Sequence, residues 1–295
     1  MTTTAPIEKA LLAVLSTQGS VFGTRVEPSM LAHRIPPSIE KQRDLLGDLL
    51  ISSNDCWDEE TLSLLDNVWK KESEESESKG ILVPWETIPN CITVIRDANS
   101  MKTETKVGVW KGDITTLVIE GITNAANDQG LGCYIPNHRC IDNVIHRVAG
   151  PRLRITCRTS MRERGSQLSA GTPPIVTSGF FLPSTYVLHV TGPQISYYEK
   201  VSKTDLDNLR KAYEHCLDAC AENRIRTLAF CGISTGIFGF PKYEACKIAI
   251  AAVVNWLHSN STELDAVIFD VFSDEEELMY NDQLSKVLRH QISTS

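Results

Sequence analysis

The sequence has no excess of positive charge. Its 29 Lys and Arg are outnumbered by 37 Asp and Glu, a formal net charge of −8, which argues against a broad electrostatic grip on nucleic acid or anionic membrane. A nucleotide ligand escapes that argument, because a small pocket binds phosphate through backbone N–H groups. Any apolar run of about 18 residues is also missing, so no membrane-spanning helix is expected. No basic stretch leads into an apolar one near Met1, so no secretory signal is expected either. The nine cysteines, an odd number, then read as reduced thiols of an intracellular protein rather than a disulfide framework. Cytoplasm is the default, with the nucleus left open. No glycine-rich loop ends in Gly-Lys-Ser/Thr, which excludes a Walker A phosphate site.

What is present is an ordinary globular composition, 42% apolar and 22% charged over 295 residues, enough for a sizeable core. Two textures divide it into a helical extension, residues 1–95, and an α/β domain, residues 96–295. In the extension, Ile7, Leu11, Leu12 and Leu15 form one helical stripe. Leu45, Leu46, Leu49 and Leu50 form a second, after Pro36-Pro37 and the cap candidate Ser38. Leu62, Leu64, Leu65, Val68 and Trp69 form a third. The acidic, serine-rich run Glu72 to Ser78 reads as a surface loop in preference to a solvated helix end.

Beyond Cys91, strands are expected at Val107–Trp110, Leu117–Ile122, Ile175–Thr177, Tyr186–Val190, Thr227–Cys231 and Ala266–Phe272. Helices fall between them: Ile141, Val144, Ile145 and Val148 stop at Gly150-Pro151, Leu206 to Cys220 line a second, and a third begins near Pro241. Strands alternating with helices predict a three-layer α/β/α domain with a mixed, largely parallel sheet, and ligands at the carboxyl ends of its strands.

Two loops fall there. The first passes from Asn124-Ala-Ala-Asn127 into Leu131 to Cys140, which sets Cys133, His138 and Cys140 in a C-x4-H-x-C array. Two thiolates and an imidazole suit Zn2+, and three protein ligands leave a fourth position open, as in catalytic sites. A closed structural zinc, with Cys157 or His146 as fourth ligand, is the bland alternative. The second loop is Gly232 to Pro241, with glycines and small hydroxyl residues before a helix N-terminus, suited to a diphosphate.

Taken in order, Lys111-Gly-Asp-Ile-Thr115, Asn124-Ala-Ala-Asn127, Ile145-His-Arg-Val-Ala-Gly-Pro151 and Ser234-Thr-Gly-Ile-Phe-Gly-Phe-Pro241 resemble the macrodomain family, which binds ADP-ribose. The C-x4-H-x-C array narrows the resemblance to its zinc-dependent branch of protein-ADP-ribose hydrolases. It covers roughly residues 100 to 285, and the helical extension also looks like that branch. The resemblance implies that Asp113 accepts from the adenine amino group with Ile114 beside it, and that Asn127 orients the distal ribose. It implies that Ser234, Thr235, Gly236, Ile237, Phe238 and Gly239 wrap the diphosphate and distal ribose, that Phe272 packs near adenine, and that Cys133, His138 and Cys140 hold zinc. Asp142 stands where zinc-free members carry a water-activating aspartate, but their preceding glycine run is gone, which puts a general-base role in question and leaves positioning of water or substrate. Asp128-Gln129-Gly130 departs from the Ser-x-Leu often found in the zinc branch.

The expected activity is release of ADP-ribose from mono-ADP-ribosylated protein, with neither nucleic acid nor membrane as partner and oligomeric state open. Rival readings are an ADP-ribose reader with structural zinc and an ADP-ribose 1″-phosphate phosphoesterase. Cys216 and Cys220, on an apolar stripe, read as core, and His189 as a buried hydrogen-bonded side chain. Arg158, Arg162 and Arg164 read as a solvated face, and Tyr197-Tyr198 as a surface loop or a cover for the ribose.

Overall fold

The computed structural model describes residues 6–18, 34–52, 57–98, 101–136, 138–196, 199–260 and 263–294. Three helices come first: α1 (Pro6–Gln18), α2 (Ile39–Ser52) and α3 (Glu59–Ser78). Their three apolar stripes meet, with Leu11, Leu46, Leu65 and Trp69 buried in one cluster. Helix α3 starts where Asp58 accepts from the Thr61 N–H at 2.8 Å, and Glu59 and Glu60 add negative charge to its first turn. The run Glu72 to Ser78 is the end of α3, not a loop. Arg43 of α2 pairs with Glu72 and Glu75 there.

The chain continues through β1 (Val83–Pro84), β2 (Ile92–Ala98), β3 (Met101–Lys111), β4 (Leu117–Val118) and β5 (Gly121–Ala125). After them come α4 (Ile141–Ala149), α5 (Pro151–Arg164), β6 (Ile175–Ser178), β7 (Tyr186–Val190), α6 (Lys203–Asn223), β8 (Thr227–Phe230), α7 (Lys242–Ser259), β9 (Ala266–Val271) and α8 (Asp274–Thr294). Seven strands form one sheet in the order β2-β3-β9-β8-β5-β7-β6. The inner pairings are parallel and the outer pairs β2/β3 and β6/β7 antiparallel. The expected strand Leu117–Ile122 is divided: Leu117 and Val118 pair with β1, and the sheet takes up the chain only at Gly121. Strand β2 starts at Ile92, a little before the expected boundary at residue 96, and it, α5 and α8 are elements the periodicity did not reveal.

Alternation along the inner strands separates two cores. Leu228, Phe230, Val267 and Phe269 face a cluster with Tyr213 and Leu217 of α6, Val253 and Leu257 of α7, and Leu284 of α8. Ala229, Cys231 and Ile268 face the other way, toward Ile145 of α4 and Leu153 and Cys157 of α5. Both faces are covered, which is why β8 is buried at all four positions and reads as a continuous apolar run. Cys216 and Cys220 are buried core thiols, as expected. Helix α6 begins with a reciprocal Ser202/Asp205 capping box.

The helical unit packs on α4 and α5. Trp69 Nε1 donates to the Arg147 carbonyl at 2.7 Å, and Ile155 and Phe181 join the unit's apolar cluster. Arg152 reaches Glu59 and Asp66, and Arg147 reaches Asp44. Such exposed ion pairs contribute at most about 1 kcal/mol each, whereas each large buried side chain in the seam contributes roughly 1.5–3 kcal/mol. The apolar seam therefore holds the unit in place.

Gly150 sits within that seam. It links α4 to α5 with φ of 85°, and a Cβ there would lie 3.1 Å from Trp69 Cδ1 and 3.2 Å from Phe181 Cδ2. Gly150→Ala is expected to cost about 1–3 kcal/mol from backbone strain, read as a lowered urea midpoint. An unchanged midpoint would refute this account of the junction.

Candidate functional site

Strands β3, β5, β7, β8 and β9 run parallel, so the loops that follow them emerge on one side of the sheet. The loop after β5 turns on Asn127. Its Oδ1 accepts the backbone N–H groups of Gln129 (3.1 Å) and Gly130 (3.2 Å), and its Nδ2 donates to the Gly132 carbonyl at 3.1 Å. Gly132 has φ of 82° and no room for a side chain, since a Cβ would lie 2.9 Å from His146 Nε2. The chain is thereby returned toward α4 with Cys133 at the bend.

There the array assembles. Cys133 Sγ and His138 Nδ1 are 3.3 Å apart, and ligand atoms of Cys133, His138 and Cys140 all lie within 4.8 Å of one another. Cys140 caps α4, its sulfur accepting the Asn143 N–H at 3.4 Å. Asn143 Nδ2 donates to the carbonyls of Ile135 (2.7 Å) and His138 (2.9 Å), pinning the loop to the helix start. Burial, with the neighbouring Cys133 adding to it, pushes the Cys140 thiol up to about 12. Without a cation the thiol keeps its proton; soft donors held this close fit a zinc ion, whose binding would displace that proton.

Beneath the array lies a buried polar network. Asn124 Nδ2 donates to Asp142 Oδ1 at 2.7 Å and lies 3.0 Å from His189 Nδ1, while Thr177 Oγ1 lies 3.0 Å from His189 Nε2. Burial pushes Asp142 up to about 6, against the Asn124 bond and the nearby Arg154 charge. Burial also holds His189 down to about 3 and His146 well below its ordinary value. The Cys157 thiol is pushed up to about 12, chiefly by burial. His146, Cys157 and His189 cluster closely enough to suggest a second metal. Both ring nitrogens of His189 already face hydrogen-bond partners, as the alternation around it implied, whereas His146 Nε2 is buried without one among the described residues. Asp142 is itself buried, at 4% exposure, with its carboxylate turned to Asn124 rather than to solvent.

The second loop follows β8. Ser234 is buried in the left-handed region, with φ of 65°, and its carbonyl accepts the Phe240 N–H at 3.0 Å. Among the described residues its Oγ has no hydrogen-bond partner. Gly239, with φ of 68°, could carry no side chain, because a Cβ would lie 2.8 Å from the Ile195 carbonyl oxygen. Gly236, Ile237 and Gly239 are exposed, Thr235 and Phe238 partly so, and α7 begins directly afterwards. At the far end, neighbouring strands β3 and β9 release Asp113 and Phe272. Asp113 is exposed, and its Oδ1 accepts from Thr115 N (3.0 Å) and Oγ1 (2.6 Å). Phe272 is a large ring, 89% exposed. Ile114 differs from its neighbour, being fully buried in the core, so only its backbone can meet a ligand. Tyr197 and Tyr198 lie outside the described residues.

One group at this end was not foreseen. Asp270, among the apolar residues of β9, has a buried Oδ1 with no hydrogen-bond partner among the described residues. Burial, with the charges of Asp113 and Glu276, pushes its carboxyl up to about 8. Its only signal in the sequence is an acid inside the run Ala-Val-Ile-Phe-Asp-Val.

The loops that follow the parallel inner strands thus gather at one edge of the sheet. The Macro domain family matches residues 123–249. A protein-ADP-ribose hydrolase of Treponema medium is 45% identical over 60% of this chain and 66% of its own length. The protein-ADP-ribose hydrolase of Staphylococcus aureus strain MSSA476 is 40% identical over 66% of this chain and 72% of its own. The alignment thus stops short of the full length of both relatives. Among solved structures, the Oceanobacillus iheyensis macrodomain with ADP superposes with a TM-score of 0.56 at 28% identity, covering 68% of this chain and 99% of that one. This chain belongs to the Macro domain family.

Asp270 gives the site a pH signature. The folded carboxyl keeps its proton to about pH 8, whereas an unfolded aspartate releases it near about 3.9. Its contribution to stability is complete below about pH 4 and is lost progressively as pH rises to about 8. Asp270→Asn keeps the shape without ionising. Relative to that variant, the wild type should lose stability between pH 5 and pH 9 in urea titrations; curves that stay parallel would remove the argument.

Proposed function

We propose that this chain is a zinc-dependent hydrolase that removes mono-ADP-ribose from modified protein side chains and frees ADP-ribose. The observation that carries the reading is the approach of Cys133, His138 and Cys140, within 4.8 Å of one another, on a loop at the ligand edge of the sheet. The names of the Treponema and Staphylococcus relatives, protein-ADP-ribose hydrolase, support the same reaction class.

Cys133, His138 and Cys140 would hold the zinc, which would supply a Lewis acid. The chain's own residues do the rest. Asp113 keeps Oδ2 free of its own turn to accept from the adenine amino group, and the exposed ring of Phe272 offers a face to the base. Ser234 to Gly239 bring backbone against the diphosphate and distal ribose, with the N-terminus of α7 behind them. The turn on Asn127 fixes where the distal ribose meets the array, supplying proximity and orientation. Asp142, buried and held by Asn124, positions the start of α4 and with it Cys140. Its burial supports positioning over direct proton abstraction.

The test is a time course of ADP-ribose release from mono-ADP-ribosylated protein, before and after stripping by a strong zinc chelator. Release should fall by about 100-fold or more on stripping, as expected for loss of several kcal/mol of charge stabilisation, and return with added zinc. Cys140→Ser should abolish the recovery. Full activity in the stripped chain would end the zinc reading. ADP-ribose binding without release in either state would leave a reader, and phosphate release from ADP-ribose 1″-phosphate alone would leave a phosphoesterase.

A further inference from the structure

Arg154 takes no part in that chemistry, yet it is 4% exposed. A guanidinium in the interior brings five donors that need partners, and leaving them unmet is costly. On α5 it meets two backbone carbonyls that are remote from it in sequence. Nη1 donates to the Ile51 carbonyl at 2.9 Å, and Nη2 donates to the Cys133 carbonyl at 3.2 Å. The guanidinium carbon also lies over the Tyr134 ring, 4.3 Å from its centroid.

Each contact has a physical reason. Ile51 is in the last turn of α2, where carbonyls lack partners within the helix and carry the negative end of its dipole. Cys133 and Tyr134 form the bend that brings the first sulfur toward His138. A planar fork can satisfy both carbonyls while stacking on an aromatic ring; a lysine ammonium offers a point charge and no plane.

We propose that Arg154 is a positioning residue through which the N-terminal helical unit holds the Cys133 bend in register with His138 and Cys140. The helical unit is then part of the site's construction and not only a cover for α4 and α5. This deepens the proposed reading of the loop and rests on it for the metal alone.

The experiment compares the full-length wild type with Arg154→Met, which keeps the apolar stem, and Arg154→Lys, which keeps the charge. In metal-free protein, amide exchange at Gly130 and His138, both hydrogen-bonded within the loop, should be at least about tenfold faster in Arg154→Met, with α6 amides unchanged. Zn2+ affinity, by competition with a chromogenic chelator, should fall about 10–100-fold, as for the loss of other outer partners of a metal site. Arg154→Lys should fall between on both readouts, and it carries the comparison if Arg154→Met does not fold. Loop exchange equal to wild type, or raised equally in α6, would show that Arg154 only fills space and would overturn the proposal. The exchange comparison decides in the same way if the wild type holds no zinc, in which case only the proposed function falls.

Discussion

A parallel sheet delivers the carboxyl ends of its strands to one side, and everything at the site depends on that constraint. β3 and β9 release Asp113 and Phe272 at one end, β8 releases the Ser234 loop in the middle, and β5 releases Asn127 and the cysteine array beyond. The helices that join the parallel strands, with α8, cover both faces. The strands can then be largely apolar and the loops free to be polar. On the proposed reading, the order of strands would set the order of subsites, from base to distal ribose.

The array hangs between two supports of different kinds. From below, Asn143 and the cap at Cys140 tie it to the start of α4, whose buried carboxylate is held by Asn124. From the side, Arg154 joins its first residue to the helical unit. The helical unit is seated by apolar packing around Trp69, and its ion pairs add little. Precision in the array therefore draws on packing well away from it.

The parts of the sequence that could be read were those with a repeating or ordered signal. Three apolar stripes gave α1, α2 and α3, and the inner strands were visible because burial on both faces makes them mostly apolar. The C-x4-H-x-C spacing and the ordered loop motifs pointed to residues that the fold gathers on one side. What escaped lacked such a signal. Strand β2 is an edge strand in a hairpin, where one face is free to vary. Glu72 to Ser78 looked like a loop because the partner of its acids, Arg43, lies more than 25 residues upstream. Ile114 matched a motif, but its side chain serves the core. Arg154 and Asp270 are single charged residues in otherwise ordinary elements, and only the tertiary contacts give them meaning.

The most direct test of the central claim is anomalous diffraction at the zinc edge from crystals grown with zinc and ADP-ribose. The account predicts one anomalous peak bounded by Cys133, His138 and Cys140, with the distal ribose of ADP-ribose on its open side. A peak enclosed by four protein ligands, or a distal ribose lying away from it, would contradict the account.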